Sequence, residues 1–164
     1  MLMATDAGLV MQLRYDLPCA EATGLFAQRL APLLRMGDVI ALKGELGAGK
    51  TTFARALIRA LGAADTEVPS PTFTLAQNYQ GQTFSIWHFD LYRLKSADEA
   101  SELGIDEMRH DSAVLIEWPE RLGAALASDR LEIVFEYCAD EDARRVSLFG
   151  VSDWLKRLAD LHIK

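Results

Sequence analysis

Residues 44–51 read Gly44-Glu45-Leu46-Gly47-Ala48-Gly49-Lys50-Thr51 and fit the pattern GxxxxGK[ST]. The chemistry such a segment serves is the binding of a polyphosphate. Its glycines let the backbone turn back on itself, so that the N–H groups from Gly47 to Thr51 can wrap an anion. The positive end of the following helix dipole then stands behind that anion. Lys50 adds a cation at the terminal phosphates, and the Thr51 hydroxyl is a ligand for Mg²⁺. A glycine loop that merely caps a helix is the plainer alternative. The flanking segments favour the phosphate: residues 38–42 read as a short buried strand and residues 52–61 as an amphipathic helix.

A phosphate-bound Mg²⁺ needs a carboxylate near it. Ligands of open α/β sheets sit at the carboxyl ends of strands, and two acidic residues stand at such ends. Asp90 follows the strand-like run 84–89, the place of a Walker B aspartate holding Mg²⁺ directly or through water. Glu117 follows the apolar run 113–116 and serves either as a second carboxylate around Mg²⁺ or as the base that orients an attacking water. Each could instead cap the next helix, the more so at Glu117, where Pro119 opens one. Trp118 either stacks on a base and closes the site or belongs to the core. His88, two before Asp90, suggests an H-x-D metal pair, but one His and one Asp do not make a site, and a structural histidine is the stronger reading. Ser70 and Thr72, in the loop 69–73, lie where GTPases place a phosphate-sensing switch; a proline-stiffened strand entry is the alternative. No N-K-x-D or T-K-x-D guanine-reading sequence is present, which points to ATP rather than GTP.

The elements that must position these residues are legible from periodicity. Residues 12–15 alternate and begin the sheet; Leu25, Phe26, Leu30, Leu33 and Leu34 mark one face of a helix that Pro32 should kink or shorten. In the helix after the glycine loop Phe53, Ala54, Leu57, Ile58 and Leu61 share a face and Gly62 stops it. Residues 73–79 and 83–89 form a hairpin around 80–82 rather than a crossover, so the sheet is mixed. Ser96 caps a short acidic helix over 96–103, with Glu99 at the capping-box position. Residues 113–116 form a central strand, 119–126 a short helix with proline at its start, 131–137 and 145–149 a second hairpin, and 153–162 a last helix. The expected fold is α/β: one P-loop NTPase-like domain over residues 1–164, a three-layer sandwich around a mixed, partly antiparallel sheet.

Bulk properties exclude several other classes. At 164 residues the chain suits one domain that needs no disulfide or metal staple. The two cysteines, Cys19 and Cys138, form no metal or redox motif and read as free thiols of a reducing compartment. No apolar run spans a membrane and residues 1–15 lack the pattern of a signal peptide, so a cytoplasmic protein is expected. A net charge of −7 disfavours nucleic-acid binding by this surface alone; the basic spots at Arg55 and Arg59 and at Arg93 and Lys95 read first as solvated faces.

Four segments now combine: G-E-L-G-A-G-K-T-T at 44–52, S-P-T-F at 70–73, H-F-D-L-Y-R-L at 88–94 and E-W-P-E at 117–120. Their order and spacing resemble those of the TsaE family, also called YjeE, over about residues 17–149. The resemblance implies a small bacterial ATPase needed to form threonylcarbamoyladenosine at position 37 of tRNAs that read codons beginning with A. It implies ATP and Mg²⁺ as cofactors and the TsaD–TsaB heterodimer as partner, with hydrolysis resetting that complex and tRNA reached through it. Carried over residue by residue, Lys50 and Thr51 are the P-loop lysine and Mg²⁺-ligating threonine, and Thr52 is the second P-loop hydroxyl. Asp90 is the Walker-B-like acid, Glu117 a metal-site or catalytic carboxylate, and Trp118 the neighbouring aromatic. Glu45, Leu46, Gly47, Ala48 and Gly49 complete the nucleotide-binding set. An arginine near the second hairpin, Arg144 or Arg145, approaches the nucleotide. The chain departs from its relatives at Glu107-Met108-Arg109, where they commonly carry an aromatic pair. Two rival functions remain at this stage: a small-molecule P-loop kinase, for which no arginine-rich lid segment is visible, and a nucleotide-dependent interaction module without catalysis.

Overall fold

A computed structural model of the chain describes residues 8–62, 67–68 and 75–161. In chain order its elements are β1 (Val10–Leu17), α1 (Ala20–Leu30), a 3₁₀ turn (Ala31–Leu33), β2 (Val39–Lys43), α2 (Lys50–Ala60), β3 (Ala76–Gln80) and β4 (Ser85–Asp90). There follow α3 (Ala97–Ser101), α4 (Ile105–Met108), β5 (Ser112–Glu117), a 3₁₀ segment (Pro119–Ala125), β6 (Leu131–Tyr137), β7 (Arg144–Gly150) and α5 (Ser152–Leu158).

The sheet grows outward from its most apolar strand. All six residues of β5 are buried, so it needs neighbours on both edges and cover on both faces. It pairs in parallel with β2 on one edge and β4 on the other. The seven strands run in the order β1-β7-β6-β2-β5-β4-β3, with β3 antiparallel to β4, β7 antiparallel to β6 and β1 antiparallel to β7. The mixed sheet with its two hairpins is therefore as the sequence predicts.

Its cover is uneven. One face carries α1, α2 and α5 over its whole width, through Phe26, Leu30, Phe53, Leu57, Ile58 and Trp154 among others. Burial of each such large side chain contributes roughly 2 kcal/mol. Phe53 ties the layers together, its ring 5.3 Å from that of Phe26 on α1 and 5.7 Å from that of Phe135 on β6. Among the described residues, the other face is covered only where β2, β5 and β4 present Val39, Val114, Ile116 and Phe89 to α3, α4 and the segment 119–125. The sandwich is thus three layers deep at the centre and two layers deep over β6, β7 and β1. The reason is compositional: that outer half-face carries Arg14, Asp16, Lys43, Glu136 and Arg145, which are not fully buried and need no cover.

Local structure follows the sequence with identifiable differences. Pro32 ends α1, since the chain passes at Ala31 into a 3₁₀ turn with proline in its first turn. Ser96 caps α3 by accepting from the Glu99 N–H, yet the Glu99 carboxylate accepts from Lys95 N–H rather than closing the box on Ser96. The segment 119–125 starts with proline as expected, but it is two 3₁₀ turns broken at Gly123 rather than one helix. Helix α4, over the Glu107-Met108-Arg109 departure, has no counterpart in the periodicity; Arg109 holds it to the Gly37 carbonyl and to Asp129. Helix α5 is anchored by Arg157, whose guanidinium donates to both Asp38 oxygens at 2.6 and 2.9 Å. Both cysteines are free thiols. No helix among the described residues is long and apolar enough to cross a membrane. The loop 69–73 with Ser70 and Thr72, the start of the segment 73–79 and His162 lie outside the described residues.

Candidate functional site

Parallel pairing brings the carboxyl ends of three strands to one edge. Asp90 ends β4, Glu117 ends β5, and the two stand opposite each other in register, while Leu42 of β2 faces Glu117 from the other side. Strand alternation then puts Asp90 and Glu117 on the face that α2 covers, since Ile86, four residues before Asp90, and Leu115, two before Glu117, both belong to the core on that side. The first turn of α2 lies directly against them. Thr51 Oγ1 donates to Glu117 Oε1 at 2.8 Å.

The glycine loop between β2 and α2 closes the site. Gly49 caps α2 in a left-handed conformation, φ +106°, and supplies no side-chain acceptor, so the first-turn N–H groups have no partner within their own helix. Gly47, at φ +77°, is approached so closely that a Cβ there would stand 2.8 Å from Tyr137 Oη. That hydroxyl donates to the Leu46 carbonyl at 2.6 Å, and Arg144, stacked 4.5 Å over the Tyr137 ring, reaches the Gly47 carbonyl at 3.4 Å. The hairpin of β6 and β7 therefore pins two consecutive loop carbonyls from outside. Ala48 N–H completes a turn onto the Glu45 carbonyl at 3.1 Å.

The result is a cleft of about 220 Å³, lined by the loop from Leu46 to Thr52 on one side and by Asp90, Glu117 and Trp118 on the other. The residues assigned to nucleotide, metal and catalysis meet here, except Glu45, which touches the site through its carbonyl, an acceptor for Lys50 Nζ at 3.1 Å. Lys50 Nζ also donates to the Gly44 carbonyl and lies 3.9 Å from the centre of the Trp118 ring. Burial pulls the Lys50 ammonium below its ordinary lysine pKa, against the opposing attraction of Glu117, Glu120 and Asp90. A cation so placed needs an anion. Trp118 has a left-handed backbone, φ +59°, and packs beside Tyr92 at 4.9 Å, half-buried over the lysine, so it is neither a core indole nor a free one.

Several alternatives are now resolved geometrically. Glu117 does not cap the next 3₁₀ turn, because both its oxygens are engaged elsewhere: Oε1 with Thr51 and Oε2 with His88 Nε2 at 2.8 Å. Asp90 lines the cleft while its Oδ1 accepts from Tyr92 N–H at 3.0 Å, so it also shapes the turn after β4. His88 is fully buried and structural in that sense, but its partner is Glu117. Of the two hairpin arginines, Arg144 approaches the glycine loop, whereas Arg145 pairs with Asp16 at 2.7 Å across β1. Arg144 and Asp142 further line a second cleft of about 100 Å³, which Thr52 and Gly49 share with the first. Tyr137 and the His88–Glu117 contact escaped sequence reasoning, since both depend on which strands become neighbours.

Among the described residues no group of three or more His, Cys, Asp or Glu side chains is placed to hold a metal. Mg²⁺ keeps several waters and binds through one or two protein oxygens together with substrate phosphates. Were Mg²⁺ bound at this cleft, Thr51 and Glu117 would be the pair to hold it, with Asp90 beside them.

These features define an α/β protein with a seven-stranded mixed sheet whose glycine loop, helix N-terminus and strand-end carboxylates surround a single cleft. Residues 17–146 match the model of the family described as threonylcarbamoyl adenosine biosynthesis protein TsaE. The chain belongs to the TsaE family. It is 41% identical over 128 residues to the tRNA threonylcarbamoyladenosine biosynthesis protein TsaE of Rickettsia felis, covering 78% of this chain and 74% of that one. It is 35% identical over 150 residues to the Bacillus subtilis protein of the same name, covering 91% and 92%. The crystal structure of Bacillus subtilis YdiB superposes with a TM-score of 0.76 at 28% identity, over 98% of this chain and 94% of that one.

Proposed function

We propose that the protein is a Mg²⁺-dependent ATPase that serves tRNA threonylcarbamoyladenosine formation by acting on the TsaD–TsaB complex. The observation that carries the ATPase reading is the cleft itself, where a buried lysine, a threonine-bound carboxylate and a second carboxylate converge on an uncapped helix N-terminus. The pathway and the partners rest on family membership and on the names of the relatives.

In this reading the glycine loop holds the β- and γ-phosphates, and Lys50 leaves its carbonyl and indole contacts to neutralise their charge. Thr51 and Glu117 hold Mg²⁺, with Asp90 as the second acid of the site. Mg²⁺, when bound, neutralises charge on the phosphate oxygens. The nucleoside end leaves past Thr52 toward the smaller cleft, where Arg144 and Asp142 offer polar contacts. Leu46 at the loop tip is 71% exposed and Tyr92 is 43% exposed, so the mouth has an apolar rim that a docking protein would cover. Hydrolysis is accordingly slow alone and faster with the partner, which completes the site. The tRNA is engaged through that complex, in keeping with the net charge of −7.

The test is phosphate release from Mg²⁺·ATP by the purified protein, with and without purified TsaD–TsaB, alongside a pull-down in ATP, ADP or no nucleotide. We expect weak basal release, clear stimulation by the complex and association that depends on the nucleotide. Full activity alone together with indifference to TsaD–TsaB would refute the reading.

A further inference from the structure

Among the described residues, His88 is the one fully buried polar side chain at the site that this mechanism leaves without a task. It lies on β4 two residues before Asp90, on the face toward α2, and its Nε2 is 2.8 Å from Glu117 Oε2. Its other ring nitrogen, Nδ1, is buried and has no hydrogen-bond partner among the described residues. A proton on Nδ1 would be an orphaned buried donor, whereas a bare Nδ1 leaves only a lone pair unmet. The proton therefore belongs on Nε2, facing the carboxylate. Glu117 is then held at both ends: Oε2 accepts from His88 and Oε1 accepts from Thr51 Oγ1. A carboxylate so fixed cannot rotate to offer both oxygens to one ion.

Resting on the assignment of Glu117 to the Mg²⁺ site, we propose that His88 is a positioning residue. By donating from Nε2 to Oε2 it locks the Glu117 carboxylate with Oε1 alone toward Thr51 and the metal. Outer partners of metal-binding carboxylates act in this way, and their loss typically weakens metal affinity by about 10–100-fold. Glutamine places an amide N–H near the position of the imidazole Nε2, while leucine fills a similar volume with no donor. The two substitutions therefore separate donation from packing.

The experiment measures the Mg²⁺ concentration needed for half-maximal enhancement of binding of a fluorescent N-methylanthraniloyl ADP. His88→Leu should raise that concentration by about 10-fold or more, and His88→Gln by no more than about threefold. Affinity for the nucleotide in EDTA should stay within about twofold in both, because the phosphate cradle is untouched. A His88→Leu protein with wild-type Mg²⁺ dependence, or a His88→Gln protein as impaired as His88→Leu, overturns the proposal. If wild-type protein binds the nucleotide with no response to Mg²⁺, the metal-site assignment fails and this inference with it. ¹⁵N NMR of the histidine rings in the ligand-free wild type gives a second reading that does not depend on any variant folding. A protonated Nε2 at His88 supports the proposal, and an unprotonated Nε2 overturns it whatever the nucleotide does.

Discussion

Thr51 Oγ1 and Glu117 Oε1, 66 residues apart in sequence, are joined by a hydrogen bond of 2.8 Å that ties the first turn of α2 to the end of β5. The bond occupies the place where the proposed Mg²⁺ would be held, so ligand binding exchanges a protein contact for metal contacts. Removing the carboxylate charge should therefore affect the metal more than the nucleotide. Glu117→Gln is expected to lower ATP turnover about 100-fold or more while leaving nucleotide affinity in EDTA within about threefold. Steady-state phosphate release and a binding titration check the two halves separately. Unchanged turnover would remove Glu117 from the mechanism.

Lys50 carries a stability cost that the proposed function would explain. Burial lowers its pKa in the folded state, so between the folded and the ordinary lysine pKa the unfolded chain holds more protons. Stability of the ligand-free protein must then rise with pH across that window, and below it the penalty is present in full. Lys50→Met is expected to abolish nucleotide binding, to raise the melting temperature of the ligand-free protein by a few degrees at neutral pH, and to flatten the rise on the alkaline side. Thermal melts from pH 7 to 10 show whether the sign is right; a destabilised Lys50→Met protein would contradict it.

Tyr137 shapes the loop from the neighbouring hairpin. Tyr137→Phe keeps the ring under Arg144 but removes the donor to the Leu46 carbonyl. One hydrogen bond of about 1 kcal/mol corresponds to roughly a fivefold loss of nucleotide affinity, with little change in Mg²⁺ dependence. Isothermal titration with ADP measures it, and an affinity equal to wild type would mean the loop keeps its shape unaided.

Arg157 holds α5 to the start of β2 through Asp38, and both side chains are largely buried. Replacing only the arginine leaves an uncompensated buried carboxylate, so Arg157→Met should destabilise the fold by about 3 kcal/mol. The double variant Arg157→Met with Asp38→Leu should recover part of that loss. Urea unfolding of the three proteins tests the pair; a loss below about 0.5 kcal/mol in the single variant would place it among weak surface contacts.

What could be read from the chain beforehand divides by the range of the interaction responsible. The glycine loop, its flanking strand and helix, the proline stop at Pro32 and the two hairpins all depend on neighbours within a few residues. The same holds for Asp90 and Glu117 as strand ends. What periodicity does not carry is which strands become adjacent. That His88 sits under Glu117 follows from β4 pairing in parallel with β5, and that Tyr137 reaches Leu46 follows from β6 lying beside β2. The half-covered sheet has the same origin, since charged positions on β6, β7 and β1 mark an exposed face only once those strands are known to share it. Helix α4 and the broken turn at Gly123 are too short for a helical repeat to register.

The pairing of β1 with β7 and the grip of Tyr137 and Arg144 on the glycine loop share a temporal consequence. During synthesis the loop at 44–51 emerges long before the strands that shape it. β5 and β6 must arrive to flank β2, and residue 144 must follow before the loop carbonyls are pinned. A growing chain, or a fragment cut before β7, carries the full phosphate-binding motif without the contacts that give it form. The topology thus ties the finished shape of the glycine loop to the arrival of β7.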